Sequence, residues 1–375
     1  SGLDVSPSSS APYVIRDFDP GNYVRLMRNP EYWGKDIGFR RGTNNFDEVR
    51  LDFYADGSVQ FEAFKAGESS SFRELNAERW ENSYDFDAVQ TGKIVKSIIP
   101  HQRPSGITGF VMNTRKPKFA DWRVREALIA AFNFEFINQA NTGGRQKRIT
   151  SYFSNSVLSM EAGPAKGRVL ELLEPYADTL LPGTIEGYRL PQSDGSARNR
   201  KNIRAADTLL TQAGWTVQDG VRRNAKGAPF EITVTLKQGD TESQSMMDIY
   251  QQALERLGIT LRTEVLDAAQ YKERTQIYDF DMAYYRRGLS LSPGNEQMLY
   301  WGGYGVDQPG TRNWMGMNSP AAESMIAKLV SSTSREDFLA AVKALDRILT
   351  AGRYVIPIHT SSFSRLAHVK EIKYP

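Results

Sequence analysis

Apolar and polar residues alternate from Pro12 to Arg28 on both sides of Asp19-Pro20-Gly21-Asn22, a turn sequence that predicts a hairpin joining Tyr13 to Phe18 with Tyr23 to Met27. The alternation resumes at Val49, Leu51 and Phe53 and leads into a short amphipathic helix from Ser58 to Ala66, stopped by Gly67. Ser69 to Ser71 is polar, Leu75 to Gln90 reads as helical or irregular, and Ile94 to Ile99 as a strand. Pro100 and Pro104 mark a boundary, because proline restricts its own backbone and that of the residue before it. Beyond it, Gly109 to Asn113 predicts a buried strand. Asp121 caps a helix with Val124, Leu128, Ala131, Phe132 and Phe136 on one face, the strongest periodic signal in the chain.

Ser151 to Arg200 is rich in Pro, Gly and Ser and predicts a surface loop. After it come a helix burying Ile203, Ala206, Leu209, Leu210 and Ala213 before Gly214, and a strand at Phe230, Ile232, Val234 and Leu236. A helix from Asp240 or Thr241 to Leu257, a strand from Thr260 to Val265 and a helix from Ala268 to Gln276 follow. Strand and helix in alternation predict an α/β class with a largely parallel sheet. The last quarter holds a helix from Ala321 to Val330 and one begun by Ser334 that buries Phe338, Val342, Leu345 and Leu349 and ends at Gly352. A short strand from Tyr354 to Ile358 comes next, and a final alternating stretch has no evident neighbour.

Between the last of the alternating units and that final quarter lies Tyr278 to Trp314. Asp279, Asp281 and Ala283 alternate with Phe280, Met282 and Tyr284, which predicts a strand, and the arginines and aromatics beyond are expected just past its end. Ligands bind at such strand ends in sheets with helical crossovers, so Tyr284, Tyr285, Arg286, Arg287, Asn295, Trp301, Tyr304, Arg312 and Trp314 are candidate ligand contacts. On these residues alone a loop that only covers apolar surface explains the stretch equally well. Arg286 and Arg287 cannot both face a cleft if the pleat continues through them.

A chain of 375 residues, 40% hydrophobic and 11% aromatic, can fill two cores. Forty-seven Lys and Arg against 44 Asp and Glu leave +3, too little to suggest a nucleic-acid partner. The lack of cysteine excludes disulfides, thiolate nucleophiles and zinc-thiolate sites, which suits either a cytosol or a periplasm. No apolar run approaches the length of a membrane span. His101, His359 and His368 have no metal-ligand spacing, and no nucleophile elbow or phosphate-cradling motif is found, so an enzyme is disfavoured and no cofactor is expected.

Three segments carry a resemblance. Ala11-Pro12-Tyr13-Val14 with Arg28-Asn29-Pro30-Glu31-Tyr32-Trp33-Gly34, Phe110 to Ala127 with Asn113-Thr114, Asp121 and Arg123-Val124-Arg125, and Ala205 to Trp215 resemble in order and spacing the periplasmic solute-binding proteins of peptide ABC transporters. The long loops and Arg353 to His359 are most similar to the subgroup taking murein oligopeptides and microcin C. The resemblance implies a bilobal periplasmic-binding-protein-like fold of type II, large cluster, with residues 1–101 plus 358–375 as a partial first lobe and 102–357 as the second. It further implies a periplasmic monomer that holds an oligopeptide and passes it to an inner-membrane ABC permease. Relatives also carry an N-terminal segment that completes the first lobe and is expected to be missing here, with Ser1-Gly2 read as a tag remnant. Dipeptide-type relatives anchor a free amino group with a Trp and an Asp ahead of a Pro; placed on Pro293, those positions hold Arg286 and Leu289. The resemblance therefore implies a ligand whose amino end is blocked or held elsewhere, with Arg286 or Arg287 for a carboxylate or carbonyl. Nickel and haem, bound by some relatives, would fall to His359 or His368, for which surface or capping roles are the simpler expectation.

Overall fold

A computed structural model describes residues 9–360 and 362–374. Internal packing divides the chain into two compact units, Ser1–Glu68 and Ser69–Pro375. In the first, the predicted hairpin forms as β1 (Tyr13–Asp19) and β2 (Tyr23–Arg28), and β3 (Glu48–Asp52) extends it into an antiparallel meander. The turn closes with the Asn22 N–H donating to the Asp19 carbonyl at 3.0 Å, and Gly21 supplies the positive φ of 86° that it needs. Leu51 and Phe53, expected on a buried face, lie exposed. Helix α1 (Gly57–Lys65) is capped by the Asp56 carboxylate, which accepts from the N–H groups of Ser58 and Val59 at 2.8 and 2.9 Å.

The second unit opens with β4 (Ser71–Glu74), a strand the polar sequence hides, then α2 (Ala77–Asn82), α3 (Asp87–Gln90) and β5 (Ile94–Pro100). β6 (Ile107–Met112) and α4 (Trp122–Ala131) follow, the latter capped by Asp121, whose carboxylate accepts from the Arg123 N–H at 2.8 Å. The predicted long helix breaks at Phe132-Asn133. There the Asn133 side chain begins α5 (Phe134–Thr142) by accepting from the Phe136 N–H, so a second cap overrides the apolar period. β7 (Lys147–Arg148) precedes a long loop in which an unforeseen helix, α6 (Gly167–Leu173), is followed by a 3-10 turn at Glu174–Tyr176. Next come α7 (Arg200–Gln212), a small hairpin of β8 (Thr216–Gln218) and β9 (Val221–Arg223), then β10 (Glu231–Lys237), α8 (Thr241–Glu255), β11 (Thr260–Leu266), α9 (Ala268–Gln276) and β12 (Met282–Arg287). The chain continues through α10 (Glu296–Trp301), α11 (Pro320–Ser331), α12 (Arg335–Ala351), β13 (Val355–Pro357), β14 (His359–Thr360) and β15 (Phe363–Val369).

The central sheet runs β11-β10-β12-β6-β13. The β10, β11 and β12 strands are parallel as their helical crossovers demand, but β6 pairs antiparallel with both β12 and β13, so the sheet is mixed. Two cores cover its faces. Met282, Phe110 and Met112 pack against Leu128, Leu210 and Tyr250, while Ala283, Tyr285 and Val111 pack against Met325, Leu345 and Leu349. Burial on both faces explains why β6 reads as a continuous apolar run. Gly109 allows β13 its close approach: a Cβ there would lie 1.9 Å from the Ile356 carbonyl oxygen. The last alternating stretch does have neighbours, since β15 sits between β4 and β5 and pairs antiparallel with each.

The segment after β6 fastens the aromatic loop. Buried Asn113 donates to the carbonyls of Tyr278 and Phe280 at 2.9 and 3.0 Å, and the Thr114 hydroxyl donates to that of Met315 at 2.6 Å. Arg115 donates to the carbonyls of Val306, Gly305, Asn313 and Trp314 at 2.7 to 3.1 Å and stacks 3.7 Å above the Tyr278 ring.

Candidate functional site

The aromatic-arginine stretch divides differently from the sequence expectation. The strand starts at Met282 rather than before it and includes both arginines; Tyr278, in a turn with φ of 60°, ends the run that seemed to alternate from there. Within the pleat Met282, Tyr284 and Arg286 take one face, and Ala283, Tyr285 and Arg287 the other. Arg287 accordingly lies over the Tyr300 ring at 4.6 Å, on the opposite side from Arg286.

Tyr284 and Arg286 open onto a cavity of about 270 Å³ within the second unit. The segment after β5 and strands β4 and β15 supply the opposite wall, with Arg103 and His101, Arg73 and Glu74, and Ser364 and Arg365. Glu242, in the first turn of α8, and His359 of β14 complete the lining that matters chemically. Glu74 is committed elsewhere: it accepts from Arg79 Nε at 2.7 Å and from the Tyr84 hydroxyl at 3.1 Å. Arg103 donates to the Ser364 hydroxyl at 2.9 Å, whereas Arg73, Arg286 and Arg365 form no ion pair among the described residues. Positive charge is therefore in surplus.

Local fields follow from that surplus. Burial, then Arg286 and Arg103, lowers the pKa of Arg73; burial, then Arg103 and Arg73, lowers that of His101. Burial, with Arg365 and Arg286 nearby, pushes His359 down to about 4. Burial, with Asp240 behind it, pushes Glu242 up to about 8 despite Arg365. His359 Nε2 and Glu242 Oε1 lie 3.6 Å apart, beyond hydrogen-bond range. Burial favours the uncharged form of each group, which works against an ion pair between them.

The remaining expected contacts lie elsewhere. Trp301 is fully buried, its indole N–H donating to Gln297 Oε1 at 2.8 Å and its ring set edge-on to Tyr152, so it has no surface to offer a ligand. Tyr285 is equally buried, and Trp314 packs on Phe280, Tyr271 and Tyr285. Arg312 lies 5.9 Å from the Tyr300 centroid, Tyr304 is exposed, and Asn295 is an exposed residue at the start of α10 whose side chain makes no capping bond. Of the loop beyond β12, only Gly288 and Leu289 line the cavity. The loop folds as core cover, because apolar area removed from water outweighs the surface role its arginines suggested.

Arg73, Arg103, Glu242 and Arg365 escaped the sequence reading. Arg73 lies in the hidden strand, and Glu242 looks like an ordinary first-turn acid of a helix. Arg365 belongs to a strand whose neighbours lie hundreds of residues away in sequence. His368 binds Ser97 Oγ at 3.0 Å and the Val369 carbonyl at 2.8 Å through its two ring nitrogens, which leaves it no atom for nickel or haem iron. Among the described residues no three His, Asp or Glu side chains group to hold a metal, and no helix is long and apolar enough to cross a membrane.

Residues 1–308 match the family of bacterial extracellular solute-binding proteins, family 5 Middle. The chain is 39% identical over 370 residues to a binding protein of Brucella melitensis, and 35% identical over 374 residues to the peptidoglycan-binding protein YepA of Agrobacterium fabrum. Each alignment takes in 98% of this chain and 60% of the relative, so the chain spans about three fifths of their length. Among solved structures, the oligopeptide-binding protein AppA of Bacillus subtilis, in complex with a nonapeptide, superposes with a TM-score of 0.70 at 17% identity, covering 97% of this chain and 63% of AppA. NikZ of Campylobacter jejuni, in complex with Ni(L-His), superposes at 0.72 with 14% identity, covering 100% of this chain and 65% of NikZ. These likenesses make the fold that of the type II periplasmic binding proteins, and the chain belongs to the bacterial extracellular solute-binding proteins of family 5.

Proposed function

We propose that this chain is the ligand-binding part of an ABC importer, taking an oligopeptide or peptide-derived compound and delivering it to an inner-membrane permease from the periplasm, with no catalysis of its own. The observation that carries the reading is the charged cavity beside the end of β12, in a chain whose family binds solutes. Tyr284 and Arg286 are the ligand contacts on that strand, and within the second unit the pairing of β15 with β4 and β5 supports grouping the residues up to 101 there with 358–375. Similarity to the peptidoglycan-binding protein YepA favours a peptidoglycan-derived peptide over other cargo. Backbone groups recur along any peptide, so a polar cleft can accept many sequences while a few fixed charges choose among them.

A metal chelate or an oligosaccharide is the second reading, because the fold also occurs in NikZ, solved with Ni(L-His). Incubating the chain with pooled peptides, muropeptides and oligosaccharides, then identifying what it retains by mass spectrometry, tests the choice. Retention of peptides or muropeptides is the expected outcome. Retention of plain sugars alone would replace the peptide reading.

A further inference from the structure

The cavity wall opposite β12 includes His101, Arg103 and Ser105, which lie in the irregular segment between β5 and β6. Backbone groups outside a sheet need other partners, and here a turn from Ser151 to Ser156 supplies them. Asn155 Nδ2 donates to the carbonyls of His101 and Arg103 at 3.3 and 2.9 Å, which accounts for both hydrogens of its amide. The Ser105 N–H donates to the Ser154 carbonyl at 2.7 Å, and the hydroxyls of Ser105 and Ser154 lie 2.7 Å apart. The turn is itself anchored in the core. Phe153 is fully buried, its N–H donates to Asp346 Oδ1 at 3.2 Å, and the Met160 N–H donates to Asp346 Oδ2 at 2.8 Å. Asp346 belongs to α12, whose Leu345 and Leu349 pack on the central sheet. From the other side, the His101 N–H donates to the Ser362 carbonyl at 2.8 Å just before β15. At the end of the segment Gly106 meets β12 backbone to backbone, since a Cβ there would lie 2.1 Å from the Arg287 carbonyl oxygen.

We propose that Asn155 is a positioning residue for ligand binding: it does not line the cavity, but it fixes the backbone of His101 and Arg103 before a ligand arrives. This rests on the reading of the cavity as the ligand site and adds a residue outside it that sets affinity. A binding surface ordered in advance spares association the cost of ordering it. Asn155 is exposed, so water can replace its amide on the two carbonyls, and the stability of the whole chain depends little on it. What water cannot replace is the tie to a turn that Asp346 fastens to the core, and the placement of the wall depends on that tie directly.

Asn155 has φ of 66°, a left-handed conformation that glycine adopts freely, so Asn155→Gly removes the amide without straining the turn. An oligopeptide pool is passed over the intact wild-type chain, and the most strongly retained peptide is titrated by calorimetry into wild type, Asn155→Gly, Arg103→Ala and the double variant. Asn155→Gly should weaken binding about fivefold while its melting temperature stays within about 3 °C of wild type. Because Asn155 acts through Arg103 and His101, its effect should shrink to about twofold in the Arg103→Ala background. Unchanged affinity in Asn155→Gly, an undiminished effect beside Arg103→Ala, or a melting temperature that falls together with the affinity overturns the inference and leaves the peptide reading standing. If wild type retains no peptide, the peptide reading ends and hydrogen exchange of the unliganded chain decides. Faster exchange of the His101 and Ser105 N–H groups in Asn155→Gly, with α12 unchanged, keeps Asn155 as the residue that holds the wall; equal exchange ends both.

Discussion

Arg115→Ala should destabilise the protein by about 4 kcal/mol and leave its ligand site intact. The guanidinium donates to four loop carbonyls, those of Val306, Gly305, Asn313 and Trp314, at 2.7, 3.0, 2.8 and 3.1 Å, and to Asn113 Oδ1 at 3.1 Å. A hydrogen bond to a charged group contributes about 1.5–3 kcal/mol, which summed independently would exceed 7 kcal/mol. Arg115 is only half-buried and water can re-solvate some of the freed carbonyls, so roughly half of that sum, about 4 kcal/mol, is the expected loss. Against typical total stabilities of about 5–15 kcal/mol this is large. Urea unfolding followed by tryptophan fluorescence reads it, since Trp301 and Trp314 lie in the fastened loop. None of the carbonyls that Arg115 holds belongs to the cavity lining. Affinity measured at low urea on the folded fraction should therefore change by no more than about twofold, as for independent sites. A loss below about 1 kcal/mol would refute the clamp, and a large affinity change in a natively folded variant would restore the loop to the ligand site.

Other consequences concern packing and protons. Gly109→Ala places a methyl group 1.9 Å from the Ile356 carbonyl oxygen and should separate β13 from β6, lowering the melting temperature and exposing the Ile358 N–H, which donates to the Thr108 carbonyl across the pair, to hydrogen exchange. Trp301→Ala should cost about 3–5 kcal/mol in denaturant unfolding with unchanged ligand affinity, because the ring fills a core rather than the cavity. Glu242 has a folded pKa of about 8 against an ordinary 4.5, so its protonated form favours the fold and its contribution is lost as pH rises from about 4.5 through 8; Glu242→Gln should flatten that part of a stability-pH curve. His359, at about 4 against 6.5, has the opposite sign. Its contribution is present above pH 6.5 and lost as pH falls through 4, and His359→Gln should flatten the acid limb.

Much of this architecture was legible where local rules and burial agreed. Asp121 and Asp240 cap the helices assigned to them, and the alternating strands from Phe230 to Val265 pair in parallel. Asn113, at the end of the predicted strand, ties two loop carbonyls to the sheet. Two of the segments that carry the family resemblance help hold the fold together: Arg125 donates to Gly352, Phe119 and Ala120 carbonyls, and Trp215 packs at 4.3 Å on Phe230.

The site was less legible because it is assembled over long distances. Arg73 pairs through its strand with Leu366, and Glu242 meets His359 more than a hundred residues along. No local period records such neighbours. The aromatic loop misled for a physical reason, since the same Tyr and Trp that line clefts also cover cores, and only the start of the strand at Met282 decides which way each points.

The central claim is that the ligand sits against the arginines flanking β12 and not in the loop beyond it. A crystal structure of the chain with a retained peptide tests this most directly. Ligand density within hydrogen-bond reach of Arg286 and Arg103, with a carboxylate among the guanidinium groups, is the predicted result. Density against Tyr300, Tyr304 and Arg312, with the arginine cavity holding only solvent, would contradict it.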